Sequence, residues 1–502
     1  MSKLYVFGIG GTGARVLKSL TMLLAAGADC GADTIVPVII DRDTSNKDLS
    51  RTELLIEDYI IVNEIAKTNG KNRFFNTKID LLNGELCLKL IDNTQKFDEF
   101  IGRNSTMSQE NQALVDMLFS KETLKLDMTE GFQGNPNIGS VVLNQFDDND
   151  VFKAFGTSFK DGDKIIIISS IFGGTGASGF PLLRKILQTP NVKGVDGKEL
   201  DNWGLVNKAP IGAISVLPYF IVGSPTDGSL VNSDTFIDKT RAALSYYKTE
   251  DKKIDTLYYI ADKLTTIYEH HKGGDTQKND AHFVELSAAL AVLDFVNPEN
   301  NSKNFHRDTK NNIERTTYKE FGINANIQKL SFNNLTDETK RLIVNPLSRF
   351  LLFAKYMGYT VVKENNNGKE ELVVRNVENN DIFEKEHKFQ PYAHKRFTSD
   401  FRKNNNIQKL ESVQEKFFEW LLEMDKQEHK FSPFNLLASS ATDFIEGDLK
   451  IVKPDNLKYK NWAKVDNELN RQIHKIDKAC ENDSRFIELF YRVTEALINY
   501  KN

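Results

Sequence analysis

The sequence predicts an α/β protein built on a parallel sheet, and three observations carry that prediction. Short apolar strands alternate with helical stretches through the first half of the chain. One strand, Lys164–Ser170, contains an unbroken run of isoleucine from Ile165 to Ile168, the pattern of a strand buried on both faces. Two glycine-rich segments each follow a strand and precede a helix, which is where backbone N–H groups lie open to a ligand.

In chain order, Leu4–Phe7 reads as a short buried strand. Val16, Leu17, Leu20, Leu23 and Leu24 then recur at helical spacing. Thr34–Ile40 is β-branched and apolar and stops at Asp41, Arg42 and Asp43. Residues 49–130 are charged and mostly helical in pattern, with no strong strand, and read as an insertion between strands. Ile211–Leu217 and Thr256–Ala261 continue the sheet. Residues 281–296 (AHFVELSAALAVLDFV) are apolar on all sides, as in a helix at the centre of a protein, and Asn297 with Pro298 ends it. Residues 299–315 are polar and read as a linker or exposed loop. Beyond them, Tyr359–Val362 and Leu372–Val377 flank an Asn-Gly turn and predict a β-hairpin. Phe417, Leu421 and Met424 share one helix face, and Phe486, Phe490, Val493 and Leu497 share another. The expected organisation is an α/β domain over 1–297 and an α+β, partly helical C-terminal domain over 298–502.

Composition narrows the function classes. At about 150 residues per domain, 502 residues make two to four domains. The 65 Lys+Arg nearly balance the 70 Asp+Glu, for a net charge of −5, so no overall pull toward nucleic acid or anionic lipid is expected. Cys30, Cys87 and Cys480 form no CxxC pair, which argues against a disulfide scaffold or a cysteine zinc site. No apolar run approaches the roughly 20 residues of a membrane span, and the N-terminus lacks a signal-peptide pattern. A soluble, cytoplasmic protein without membrane or nucleic-acid partners is expected. The His270-His271 pair reads as solvated loop, since adjacent residues on a helix do not face each other and no third ligand is evident.

Three loops bear on chemistry. Residues 8–13 (GIGGTG) match GxGxxG and would suit a Rossmann-type dinucleotide site with Asp41 or Asp43 as the acid, a phosphate loop of another kind, or a tight turn without a ligand. Residues 172–181 (FGGTGASGFP) supply a second glycine cradle, which suits a ligand with several phosphates gripped from two sides. Residues 131–139 (GFQGNPNIG) form a third glycine-bearing loop, which would also serve as a surface turn. GxxxxGK[ST] is absent, so this is not a P-loop NTPase.

Together these loops resemble the tubulin/FtsZ superfamily. Gly8–Gly13 resembles its first phosphate loop, and Gly173–Gly176 its GGGTG signature, with Phe172 in place of the first glycine. Gly134–Gly139 resembles the loop near the terminal phosphate of GTP. Residues 41–45 (DRDTS) and 216–220 (VLPYF) fall where further nucleotide loops are expected. The long insertion points toward the diverged bacterial tubulin-like (FtsZ-like) proteins. The match spans roughly residues 1–297 at motif level.

The resemblance implies a GTP/GDP site. Gly8, Gly10, Gly11, Thr12 and Gly13 would hold the diphosphate, and Gly173, Gly174, Thr175, Gly176 and Ser178 would grip it from the other side. Gly134 and Asn135 would meet the γ-phosphate, and Arg241 the ribose. Asp43 is the candidate for water-mediated Mg²⁺, or else a turn or cap residue. Asp262, Asn279 or Asp280 would pair with the base, and His282 or Phe283 would stack on it. Against that, the start of the 281–296 helix also reads as an N-cap followed by a core aromatic. Residues 333–338 (NNLTDE) come nearest to the family's acidic loop, making Asp337 and Glu338 the candidate catalytic acids, although the helix dipole alone also favours acids there.

Three functions follow in order. First is a GTP-binding protein of the tubulin/FtsZ type, a filament-forming cytoskeletal GTPase that assembles head to tail with itself and completes hydrolysis in trans. Second is a tubulin-like nucleotide sensor or scaffold acting through partner proteins. Third is a Rossmann-type enzyme using NAD(P) or ATP.

Overall fold

The computed structural model describes residues 2–66, 74–88, 95–144, 149–194, 197–223, 235–250, 254–269, 274, 277–300, 307–308, 313–314, 316–322, 327–376, 403–438, 462–476 and 482–500. Its centre is a seven-stranded sheet. The first strands are β1 (Lys3–Ile9), β2 (Thr34–Ile40), β3 (Lys78–Ile79), β4 (Lys164–Ser170) and β5 (Ile211–Val216). A small parallel pair, β6 (Phe220–Val222) and β8 (Thr266–Tyr268), flanks β7 (Thr256–Ala261) in sequence. Two-residue strands β9 (Arg307–Asp308) and β10 (Ile313–Glu314) precede β11 (Thr317–Gly322). The sheet order is β11-β7-β5-β4-β1-β2-β3, and every pairing in it is parallel. Strand order reverses between β1 and β4, and open α/β sheets bind ligands in the crevice at such a switch point.

The isoleucine run shows why the sheet must be covered twice. Ile166 and Ile168 join the core on one face, and Ile165 and Ile167 join the core on the other. On the first face lie α1 (Gly10–Ala25) and α2 (Lys47–Ile65), which pack on each other. The other core takes Phe97, Leu124, Met128, Phe132, Phe155, Phe180 and Leu183. They come from α3 (Phe97–Phe100), α5 (Lys121–Leu124), α7 (Asp150–Ser158), α8 (Thr175–Gln188) and the segments between them; α4 (Gln109–Leu118) buries no residue, and α6 (Pro136–Val142) adds Ile138 and Val142 to the same core. The short α9 (Trp203–Val206) and the longer α10 (Phe236–Glu250) follow.

The central helix is α11 (Phe283–Val296), and it is buried almost throughout. It starts two residues later than the apolar run suggests, because His282 is its N-cap, in a capping box with Glu285.

Two boundaries differ from the sequence reading. Residues 49–130 are helical as expected but are not set apart: α2 packs on α1, β3 extends the sheet, and Phe97 and Met128 are fully buried. The sheet also takes its edge strand β11 from beyond residue 297. β11 lies just past the expected 299–315 linker, and its mixture of apolar and polar residues carries no strong strand signal, since an edge strand buries only part of its surface.

The described residues that follow comprise β12 (Lys329–Leu330), α12 (Asp337–Tyr356), β13 (Tyr359–Asn366), β14 (Lys369–Asn376), α13 (Asn405–Lys426), β15 (Lys430–Phe431), α14 (Ala463–Gln472) and α15 (Asn482–Leu497). Of these, α12 packs on α1, and α13 on both α1 and α2. The hairpin β13–β14 forms as expected, with Asn367 (φ 51°) and Gly368 (φ 83°) in the left-handed conformation that a type I′ turn needs. Phe353 stacks on Phe490 at 4.3 Å, which fixes α12 against α15. Residues 301–306, 309–312 and 315 of the expected linker, with Val377, Cys480 and the His270-His271 pair, lie outside the described residues. Among the described residues no helix is long and apolar enough to cross a membrane.

Candidate functional site

A cavity of about 190 Å³ opens at the switch point. Gly10, Gly11 and Thr12 line it from the start of α1, and Gly173, Gly174, Thr175 and Gly176 from the start of α8. Register sets these two starts side by side. Ile9 at the end of β1 pairs with Ser169 near the end of β4, so both chains turn into helix at the same level. A Cβ placed on Gly10 would lie 3.4 Å from Thr175 Cβ and 3.7 Å from the Gly176 nitrogen.

Neither helix start has a side-chain cap or an acidic residue in its first turn. The first four N–H groups of a helix have no partner inside it. Two such ends, each with the positive pole of a helix dipole, therefore converge on one cavity, a geometry that suits an anion.

The glycines divide into two kinds. A Cβ at Gly13 would strike the backbone of Gly8, and one at Gly176 would strike the Ser170 carbonyl. Gly8 and Gly13 thus shape the turn instead of lining the cavity. Gly11 and Gly173 are different: the nearest atoms to a Cβ there are Arg15 Nη1 at 3.5 Å and Ser170 Oγ at 3.3 Å. The loop Gly131–Gly134 closes the third side and packs on Gly174, whose Cβ would sit 3.0 Å from Phe132 Cβ and 3.2 Å from the Gly134 nitrogen. Lys239 Nζ donates to the Gly134 carbonyl at 3.0 Å and fastens this loop to α10.

Asp41 and Asp43 lie at the mouth, both buried. Burial, with Asp43 adding to it, pushes the Asp41 carboxyl up to about 7. Asp43 Oδ1 accepts from Ser45 N (3.2 Å) and Ser45 Oγ (2.8 Å), and Oδ2 from Gly274 N (2.8 Å). It is thus a turn-forming residue that also faces the cavity. Among the described residues no cluster of His, Cys, Asp and Glu is arranged to hold a metal ion directly.

Several expected site residues lie elsewhere. Ser178 Oγ donates to the Gly174 carbonyl at 2.8 Å, inside its own helix. Asn135 precedes α6 and turns its amide toward the Gln133 carbonyl at 3.4 Å. Arg241 is 77% exposed on α10, 3.6 Å from Asp238. Asp262 is buried against His429 Nδ1 at 2.7 Å. Asp280 contributes its carbonyl to the Tyr268 hydroxyl and does not line the cavity. His282 caps α11, its Nδ1 accepting from Val284 N at 3.1 Å. Phe283 stacks on Phe431 at 4.8 Å, away from the cavity. Of the base-facing candidates, Asn279 alone lines the cavity. Asp337 and Glu338 are the first two residues of α12, with Asp337 71% exposed and 3.3 Å from Lys340.

The site also contains residues that motif reading missed. Arg15 donates from Nε to Glu285 Oε1 (2.6 Å), from Nη1 to Asp48 Oδ2 (3.0 Å) and from Nη2 to the Tyr219 hydroxyl (2.8 Å). Burial opposes its charge, but Tyr219, Glu285 and Asp48 outweigh burial and hold the guanidinium protonated. Phe172, in place of the expected glycine, packs on Phe236 at 5.0 Å and Phe220 at 5.5 Å as part of an aromatic wall. An arginine in α1 and a glutamate at the start of the largely apolar α11 were the signal, since a buried charge needs a buried partner.

Fold and site thus define a doubly wound α/β protein with a double glycine cradle at its switch point. No family model matches the chain, and no curated protein matches it. Among solved structures it is similar to CetZ2 from Haloferax volcanii in a GTPγS-bound protofilament, at 12% identity and TM-score 0.29, over 62% of this chain and 61% of that one. It is similar to CetZ from Methanosaeta thermophila, at 14% identity and TM-score 0.23, over 51% and 45%. It is also similar to TubZ of Clostridium botulinum phage c-st, at 12% identity and TM-score 0.23, over 62% and 67%. The chain spans about three fifths of the CetZ2 structure. The tubulin/FtsZ resemblance lies in the glycine loops and their places on the sheet.

Proposed function

We propose that this chain binds a nucleoside triphosphate, GTP by its resemblance to the tubulin/FtsZ superfamily, between its two glycine loops. The observation that carries the reading is the meeting of two uncapped helix starts, Gly10–Gly13 and Thr175–Ser178, at the strand-order reversal. The cation lining the cavity, Arg15, is already shared between Asp48 and Glu285. A polyphosphate would therefore bring its own counter-charge, and Mg²⁺ bound to the phosphates with water toward Asp43 fits that need.

Head-to-tail self-assembly is the second half of the proposal. Asp337 and Glu338 follow the central helix and open the next long one, and Asp337 is exposed, as a residue serving a neighbouring subunit must be. In this reading they orient water at the γ-phosphate held by the next molecule. The test is sedimentation with GTP, GDP or no nucleotide, with phosphate release measured in the same tubes. A GTP-dependent pellet with phosphate release supports an assembling GTPase. GTP binding without a pellet supports the sensor reading and ends the filament proposal.

A further inference from the structure

The cavity carries an imbalance of charge. Asp41, Asp43 and Glu269 line it, and the guanidinium that reaches it, Arg15, is held between Asp48 and Glu285. A polyphosphate entering there meets carboxylates and a cation whose charge is already matched.

Lys239 of α10 is placed differently. Its side chain does not line the cavity but stands behind the loop Gly131–Gly134. Nζ donates to the Gly134 carbonyl at 3.0 Å and lies 3.4 Å from where a Gly134 Cβ would be. The ammonium has three donors, and this is the one in use. Lys239 is half-buried, and among the described residues no carboxylate pairs with it. Burial alone acts on its pKa and lowers it. A partly desolvated, unpaired ammonium is stabilised by any anion brought close.

The loop that Lys239 grips needs support. Gln133 lies at φ 43°, in the left-handed region, which a non-glycine residue keeps only where its surroundings impose it. The Gly134 nitrogen packs on Gly174 from one side, and Lys239 holds the Gly134 carbonyl. The two helix starts offer N–H groups to two phosphoryl groups, which leaves this third wall to meet a further one.

We infer that Lys239 makes the site prefer a nucleoside triphosphate to the diphosphate: it is a positioning residue that holds the Gly131–Gly134 loop at the cavity and whose charge balances the additional phosphoryl group. The inference rests on the nucleotide-binding proposal above and names the ligand that this site prefers.

Displacement of fluorescent N-methylanthraniloyl-GTP from the full chain, by the non-hydrolysable imidotriphosphate of guanosine and by GDP, tests it at saturating Mg²⁺. In Lys239→Met, triphosphate affinity should fall by about tenfold or more while GDP affinity stays within about threefold. Lys239→Arg keeps the charge and a donor and should keep most of the preference. Equal losses for the two nucleotides in Lys239→Met would make Lys239 a merely structural tie, and unchanged affinities would make it a bystander; either result overturns the inference and leaves nucleotide binding standing. Should Lys239→Met fail to fold, the wild-type chain decides. Its preference for the triphosphate should shrink between about 0.05 and 0.5 M salt, and a preference that is absent or independent of salt overturns the inference. Failure of the probe to bind the wild-type chain overturns the nucleotide proposal, and the inference falls with it.

Discussion

Arg15 Nε lies 2.6 Å from Glu285 Oε1, joining the helix that opens the first glycine loop to the central helix across 270 positions of sequence. Both side chains are buried, and Asp48 of α2 shares the guanidinium. Arg15 is the cation between two buried carboxylates, so removing it leaves both of them charged and unpaired, at a cost of about 3–5 kcal/mol. Arg15→Met should therefore lower the free energy of unfolding by about 3 kcal/mol in urea titration. A change below about 1 kcal/mol would mean the cluster is solvated.

The two kinds of glycine separate fold from binding. Gly176→Ala drives a Cβ into the Ser170 carbonyl and should destabilise the chain whether or not nucleotide is present. Gly11→Ala and Gly173→Ala meet only side-chain ends and should fold. They crowd the cavity where phosphate would approach, so nucleotide affinity should fall by more than about tenfold. Unchanged affinity in both, by equilibrium dialysis, would place the ligand elsewhere.

His282 makes stability depend on pH. Burial, opposed by Asp262 and reinforced by His429, lowers its pKa from 6.5 to about 4. The unfolded chain takes up this proton below pH 6.5 while the folded chain resists until about pH 4, so the stabilisation is full above 6.5 and is lost as pH falls through that window. At pH 5 the loss amounts to about 2 kcal/mol. His282→Asn keeps a capping acceptor and removes the titration, so its unfolding free energy should change less than wild type between pH 7 and pH 5. Equal changes in the two proteins would exclude His282 as the source.

Asp337→Ala combined with Glu338→Ala tests the acidic pair at the start of α12. Nucleotide affinity should stay within about threefold of wild type, while phosphate release falls by about a hundredfold or more. Lost affinity, or unchanged release, would mean that the water-orienting acids lie in another loop.

The sheet was legible because its strands are short runs of apolar, β-branched residues with sharp ends: Thr34–Ile40, Lys164–Ser170 and Thr256–Ala261 form over the residues expected. Both glycine loops were legible because glycine between strand and helix marks a tight turn or a close backbone approach. Side-chain direction was not. Ser178 and Arg241 fell at family positions, yet one bonds to its own helix and the other points into solvent, and spacing alone cannot distinguish these. By sequence Phe283 suits either a residue stacked on a base or a core aromatic; the structure shows a core aromatic, and the surface it meets comes from Phe431, far along the chain. Strand β11 was hidden for a related reason: at an edge, Tyr318 and Glu320 stay exposed and no apolar run forms.

A crystal structure of the chain grown with Mg²⁺ and a non-hydrolysable nucleoside triphosphate tests the central claim most directly. The account predicts phosphate oxygens within hydrogen-bonding distance of the backbone nitrogens of Gly11 or Thr12 on one side and of Thr175 or Gly176 on the other. Triphosphate bound at any other place, or an empty cradle at saturating nucleotide, would contradict it.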